Sequence, residues 1–385
     1  MLLVLPALLA VAAAVPTTHY IDPEVLKMVF GPKLEDITVR PTEAPKIVED
    51  NGERWQCVPY YLCEENLNAT RIQDPTITGY GQLDIRFNEG CQESVERLCK
   101  IPNIKLEIKT LKPDDSRLRG CGYRNVNGLD FTVSGGSGNE AQFGEFPWVV
   151  AILDVNDGYH GVGVLIHPEV VMTAAHIAAK FIPEGMKVRA GEWDTQTTKE
   201  RLPSQESMVK EFRVRNDFCA KNLFNDVALL RLKEPFRLSD HINVACLPDQ
   251  YESFDGYTDC VANGWGREKF GRQGSYAVIM KKVEVDVVPH TACNRKLKTT
   301  RLGHFFRLHY SFLCAGGTEG KDTCEGDGGA PLMCPVGGGR YKLAGLTSWG
   351  IGCGQNDTPG VYANVALFRN WVDAEMSAWG LQTTY

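Results

Sequence analysis

Thirteen cysteines, spread from Cys57 to Cys353 over 385 residues, constrain this chain more than any other feature. They follow an uncharged apolar stretch at 1–14, MLLVLPALLAVAAA, which ends in small residues and is shorter than the roughly 20 residues that span a bilayer. The stretch reads as a secretory signal cleaved near Ala14. In an extracellular setting cysteines at this density read as disulfides, with one thiol of the odd number left over. Sequons at Asn68 and Asn356 fit the same route. No other segment suggests a membrane anchor, and the net charge of −7 and lack of a basic tract give no support for nucleic-acid binding.

Patterning divides the chain further. Residues 15–49 hold several prolines and acids without periodicity and read as a flexible lead-in. A cysteine-bearing module at 50–100, a linker at 101–135 and a large domain at 136–380 follow. Within the large domain the apolar runs WVVAILD, GVGVLI, DVALLRL, KKVEVDVV and YKLAGLTSW read as strands between Gly and Pro turns. The terminal VALFRNWVDAEMSAW has the apolar spacing of a helix packed on a sheet. The fold class is therefore all-β with a C-terminal helix.

Three short motifs carry the chemistry. TAAH ends at His176, NDVALLRL contains Asp226, and GDGGAP at 326–331 holds Gly328, with intervals of 50 and 102 residues. In this order and spacing they resemble the catalytic segments of the chymotrypsin family, whose nucleophilic serine falls at Gly328. That family's mechanism needs a hydroxyl to attack, an imidazole to take its proton and a buried carboxylate to hold the imidazole. Glycine supplies no hydroxyl, and removing such a nucleophile costs roughly 10⁶ in turnover, about 8 kcal/mol of barrier. The resemblance implies two antiparallel six-stranded β-barrels and no proteolysis. It also implies an activation switch, a new N-terminus of sequence IVGG inserting beside the Asp before the serine. Here those positions read GGSG at 135–138 with no Arg or Lys before them, so Asp327 is not expected to meet a freed terminus. Ala330 replaces the second glycine of the family's turn and is expected to alter it. The backbone N–H groups of Gly326 and Gly328 are the oxyanion-hole positions.

The same resemblance supplies a pocket and a set of bridges. Asp322 matches the acid that selects Arg or Lys, and Ser348, Gly350 and Gly360 match the pocket walls; the pocket is either functional or an unselected remnant. The implied disulfides are Cys260–Cys334, Cys293–Cys314, Cys324–Cys353 and the linker bridge Cys121–Cys246. One family bridge is missing on both sides, at Gly161 and Ile177, where it would be worth about 2–4 kcal/mol. Upstream, CVPYYLC and CQESVERLC resemble a clip domain, which implies Cys57–Cys91 and Cys63–Cys99, with Asn51 and Leu98 in place of the third pair. Cys219 remains without a partner, either buried and inert or available for a mixed disulfide. The loop 191–206 resembles a calcium loop, with Glu192, Asp194 and Glu206 as oxygen ligands for a structural calcium; an acidic solvated loop is the alternative. No cofactor for catalysis is expected.

Taken together the modules resemble the clip-domain serine protease homologues of arthropod haemolymph. That resemblance implies a secreted, non-catalytic cofactor cut by an upstream clip-domain protease, oligomeric once cut, which helps prophenoloxidase become active in melanisation. Arg71, Arg117 and Arg119 are candidate cleavage sites, or else solvated surface charges. Two other roles stay open: recognition of microbial surfaces, or a decoy that suppresses the cascade.

Overall fold

The computed structural model describes residues 47–59, 62–63, 82–84, 91, 95–104, 120–129, 132–134, 138–197, 200, 202–266, 277–318, 327–352 and 355–383. The expected signal peptide, the cleavage candidates Arg71, Arg117 and Arg119, the sequon at Asn68, and Asp322, Cys324, Gly326 and Cys353 lie outside them.

The clip module is a three-stranded antiparallel sheet, with β1 (Ile47–Asp50), β2 (Glu53–Pro59) and β4 (Glu96–Lys100) in the order β1-β2-β4. Residues 47–49, expected in the flexible lead-in, are instead an edge strand. The reason is the two-residue loop Asn51-Gly52, whose φ values of 52° and 81° suit the primed turn that matches strand twist. It folds Ile47–Asp50 back onto Arg54, Glu53 and their neighbours. Two bridges, Cys57–Cys91 and Cys63–Cys99, staple the sheet. Among the described residues its apolar clusters are Trp55, Cys57, Cys91 and Leu98 on one side, and Val58, Cys63 and Cys99 on the other.

Asn51 was expected opposite Leu98 as the site of a lost bridge, and the structure corrects this. Leu98 lies across from Cys57 in the sheet and packs with Trp55, while Asn51 sits exposed at the far end of the hairpin. Leu98 instead joins the apolar cluster of Trp55, Cys57 and Cys91.

The large domain holds two sheets. β6 (Val149–Asp154), β7 (Tyr159–His167), β8 (Val170–Thr173), β9 (Met186–Ala190), β10 (Gln205–Val214) and β11 (Ala228–Leu232) close into a six-stranded barrel. The second sheet contains β12 (Cys260–Gly264), β13 (Lys281–Val285), β14 (Val287–Val288), β15 (Phe312–Ala315), β16 (Pro331–Pro335), β17 (Tyr341–Trp349) and β18 (Gly360–Asn364). Its two edges, β13 and β14, are consecutive pieces of one strand that the sequence presents as the single run KKVEVDVV. Asp286 divides them: its carbonyl accepts the Gly316 N–H at 2.9 Å and its carboxylate the Asp259 N–H at 3.1 Å. The chain thus changes neighbour at this residue, and the interrupted strand makes a second, barrel-like sheet.

Three α-helices of the domain are among the described residues: α1 (Ala175–Ala178), α2 (His290–Lys298) and α3 (Arg369–Ala378). The expected C-terminal helix begins four residues late, because Val365–Leu367 form a 3₁₀ turn and Phe368 breaks the α-geometry while staying buried. α2 escaped the sequence reading, although Cys293 and Leu297 mark its buried face at i, i+4.

The segment between the modules is partly built into the large domain. Cys121 is joined to Cys246, and the Arg124 guanidinium reaches the buried Glu145 carboxylate at 2.6 Å, where Lys282 also binds. β5 (Thr132–Ser134) pairs in parallel with β3 (Gln82–Asp84), and the Gln142 amide donates to the Val133 carbonyl at 3.0 Å. Val133 and the fully buried Val95 of the clip join the main apolar cluster of the large domain.

Candidate functional site

His176 lies on α1, a four-residue helix directly after β8, and Asp226 immediately precedes the run into β11. β8 and β11 are paired neighbours in the first barrel, which is why residues 50 positions apart meet. The Asp226 carboxylate takes the His176 backbone N–H at 2.9 Å on one oxygen and stands 2.7 Å from the ring Nδ1 on the other. Ser348, from β17 of the second sheet, donates its hydroxyl to that second oxygen at 2.6 Å. All three side chains are buried. This is the orienting half of a triad: a carboxylate held by three donors, fixing an imidazole whose Nε2 faces the next strand-turn.

What Nε2 faces is Gly328. A Cβ at that position would lie 2.8 Å from His176 Nε2 and 3.1 Å from Ile177 Cδ1. A working site needs about that distance to a hydroxyl oxygen, one bond further out, so the ring and Ile177 occupy space that a serine side chain would need. His176 itself is 0% exposed, with Nε2 buried.

The turn around Gly328 is intact. The Gly328 carbonyl accepts the Val162 N–H at 3.0 Å, the Gly329 N–H donates to the Thr347 carbonyl at 2.9 Å, and the Ala330 N–H to the Asp327 carbonyl at 2.8 Å. Ala330, expected to disturb this turn, does not. The positive φ of 78° falls on Gly329, where a Cβ would strike the Thr173 hydroxyl, and Ala330 sits buried without that requirement. The Asp327 carboxylate accepts the Gly266 N–H at 2.8 Å.

The missing bridge at Gly161 and Ile177 has a plain physical replacement. Ile177 Cδ1 lies 3.1 Å from where a Cβ on Gly161 would be, the same distance as from the one on Gly328. One apolar side chain therefore fills both the lost disulfide and the space beside the lost nucleophile.

Other expected site residues fall as follows. Ser348 serves Asp226 with its hydroxyl; Gly350 is exposed, and Gly360 is buried in β18 beside Ala315. Cys260–Cys334 and Cys293–Cys314 are joined. Cys219 is a free, half-buried thiol bridged through its backbone to Phe224. Asn356 is exposed.

The acidic loop does not assemble the expected cation ligands. Arg189 stands among them, bonding Glu192 at 3.0 Å and Glu206 at 2.7 Å, and Lys187 also takes Glu206. Glu206 is thus spent on two cations and does not close a cage with Glu192 and Asp194. The third inward acid is Glu200, whose carboxylate faces the Asp194 N–H at 3.4 Å. Burial, then the charges of Glu192 and Asp194, hold the Glu200 carboxyl well above the usual range; burial also raises Glu192 against the pull of Arg189. Arg189 thus places a positive charge beside two of the three predicted ligands, Glu192 and Glu206, while Asp194 and Glu200 turn inward with Glu192.

Comparison with known proteins agrees with this geometry. A family profile described as Trypsin matches residues 136–372, and one described as Serine protease Clip domain PPAF-2 matches residues 44–100. Phenoloxidase-activating factor 2 of Galleria mellonella is 50% identical over 279 residues, covering 69% of this chain and 91% of that protein. Inactive CLIP domain-containing serine protease A8 of Anopheles gambiae is 39% identical over 330 residues, 83% of this chain and 87% of that protein. Protein masquerade of Drosophila melanogaster is 34% identical over 263 residues, 66% of this chain and 25% of that protein. No helix among the described residues is long and apolar enough to cross a membrane. With the trypsin profile covering most of its length and two relatives matched over nearly all of theirs, this chain belongs to the clip-domain serine protease homologues.

Proposed function

We propose that this chain is a secreted, non-catalytic cofactor of prophenoloxidase activation in arthropod melanisation, acting once an upstream clip-domain protease has cut it. The observation that carries the reading is the plugged catalytic centre: the orienting pair His176–Asp226 is in place, yet Ile177 and the imidazole fill the space at Gly328. Peptide hydrolysis there lacks both a nucleophile and room for one. What remains is a protease-shaped body whose apolar core takes in Val95 of the stapled clip domain, which suits a binding role. The name of the Galleria mellonella relative supports the cascade, and the candidate cuts at Arg71, Arg117 and Arg119 would remodel the clip or linker. The cut form is proposed to assemble into oligomers in the haemolymph.

Reconstitution tests this. Prophenoloxidase and its activating protease are mixed with intact, cleaved or no copy of this protein, and diphenol oxidation is followed. Oxidation is expected to rise only with the cleaved form, and a fluorophosphonate probe is expected to leave that form unlabelled. Unchanged or lowered oxidation would replace the cofactor reading with recognition or decoy activity.

A further inference from the structure

α2 and the loop after it form a surface whose charge is opposite to that of the whole chain. Residues 290–310, HTACNRKLKTTRLGHFFRLHY, contain five Lys or Arg and no Asp or Glu. Set against the net −7 of the chain, these five positive charges leave −12 for all other residues. The whole-chain charge conceals a local basic tract.

The structure shows where these cations point. Cys293 and Leu297 face the core, so Arg295 and Lys298 project from the opposite side of α2, while Arg301 and Arg307 sit exposed on the loop, which folds back beside the helix where the Leu308 N–H meets Asn294 and the His309 carbonyl meets His290. Lys296 is paired with Asp357 at 2.8 Å. Arg295, Lys298, Arg301 and Arg307 have no carboxylate partner among the described residues. Cations in the last turn of α2 complement its dipole, but that accounts for neither Arg301 nor Arg307, which lie beyond the helix. Two largely exposed aromatic rings stand in the same ribbon, Phe305 at 83% and Tyr310 at 65% exposure, each with the ring of the preceding histidine beside it.

The ribbon is also held rigid. The Cys293–Cys314 bridge closes it, the Leu308 N–H donates to the Asn294 side chain at 2.9 Å, and His309 stacks on Phe224 with ring centroids 3.9 Å apart. Beneath it Leu302, Phe306 and Leu308 pack with Phe312 and Trp349. Like charges gathered on a fixed scaffold repel one another, and a surface kept only for solubility intersperses both signs. A ligand meeting such a ribbon loses little affinity to loop ordering.

We propose that the face formed by Arg295, Lys298, Arg301, Arg307, Phe305 and Tyr310 binds an anionic polysaccharide. A polyanion with a charged group on successive sugars can reach cations spread over a helix and the loop folded back beside it. Guanidinium groups, three of the four, engage sulfate, phosphate or carboxylate in two-point hydrogen bonds. The apolar faces of sugar rings pack on the exposed aromatic rings, a contact that a purely charged ligand would not use. The inference is independent of the catalytic centre and of the cascade proposed above.

Heparin is the probe. The full secreted protein is titrated with a fluorescent heparin dodecasaccharide at several salt concentrations, beside a neutral dextran and a DNA duplex of matched charge. Binding is expected for heparin and absent for dextran, with log K falling against log salt at a slope of about −4, one counterion per cation engaged. The variant R295E/K298E/R301E/R307E is expected to lose at least tenfold in affinity and most of the salt slope. F305A/Y310A is expected to lose severalfold at an unchanged slope, and reversal of the distant exposed Lys210 and Lys233 to Glu to leave binding within about twofold. Thermal melts of each variant confirm folding. Failure of the folded wild type to bind heparin at 0.15 M salt, or equal losses from the distant reversals, overturns the proposal. DNA binding as tightly as heparin overturns the polysaccharide assignment.

Discussion

The clip sheet and the first barrel each lack a bridge that the family resemblance places there, but only in the barrel do the two positions, Gly161 and Ile177, stand side by side. In the barrel, Ile177 packs against Gly161 and Gly328 inside a core that includes Val150, Leu165, Ala174 and Leu230. Among the described residues of the clip, Leu98 clusters with Trp55, Cys57 and Cys91, with Val48 packed against them. Without the further bridge the two regions therefore rest on different reserves. A large core absorbs the loss because dozens of buried contacts surround it, while a module of this size depends on the staples it keeps.

The sharpest way to break this comparison is to remove a clip bridge. Cys57→Ala with Cys91→Ala opens a loop of sequence separation 34, worth about 3–4 kcal/mol at that length. Hydrogen exchange is expected to show β2 and β4 opening while the barrel strands keep their protection. Equal loss in both regions would mean that the clip and the large domain unfold as one unit, through Val95 and Val133.

A second test enlarges the gap in the barrel. Ile177→Ala is expected to cost about 2–4 kcal/mol, lowering Tm by several degrees without unfolding the domain. Gly328→Ser is expected to restore no hydrolysis of an arginine anilide, since its Cβ would press on His176 Nε2 and Ile177. Turnover by Gly328→Ser alone would show that the imidazole and Ile177 yield easily, and the plugged-site reading would fall.

The smallest expected effect lies in the acidic loop between β9 and β10. Glu192 and Glu200 have folded-state pKa values raised above their unfolded ones, by burial first. Groups of this kind contribute stability that is present below the unfolded value and lost as pH rises through the folded one. Glu200→Gln removes one of the charges, so Tm at pH 7.5 is expected to rise by about 2 °C and the drop between pH 5 and 7.5 to shrink. A Tm unchanged by the substitution at both pH values would show Glu200 to be solvated and unshifted.

Much of the catalytic region was legible before any coordinates. TAAH, NDVALLRL and GDGGAP are contiguous, and each local sequence carries its own backbone requirement: a short helix after a strand, a buried strand, a turn with a left-handed glycine. Their order therefore located His176, Asp226 and Gly328, and apolar alternation located most strands of the large domain. Bounds were less legible where one residue changes its neighbours, as Asp286 does between β13 and β14, because the switch is set by hydrogen bonds to Asp259 and Gly316.

By itself, then, the sequence determined the modular order, the all-β class and the absence of a hydroxyl at position 328, since these depend on residue type and local period. The tertiary structure alone decided that Ile177 plugs the site, that Trp55 and not Asn51 meets Leu98, that Arg189 occupies the acidic loop, and that four cations gather on α2 and the loop folded back beside it. Each of these is a distance between side chains brought together by packing, and sequence separation carries no record of that distance.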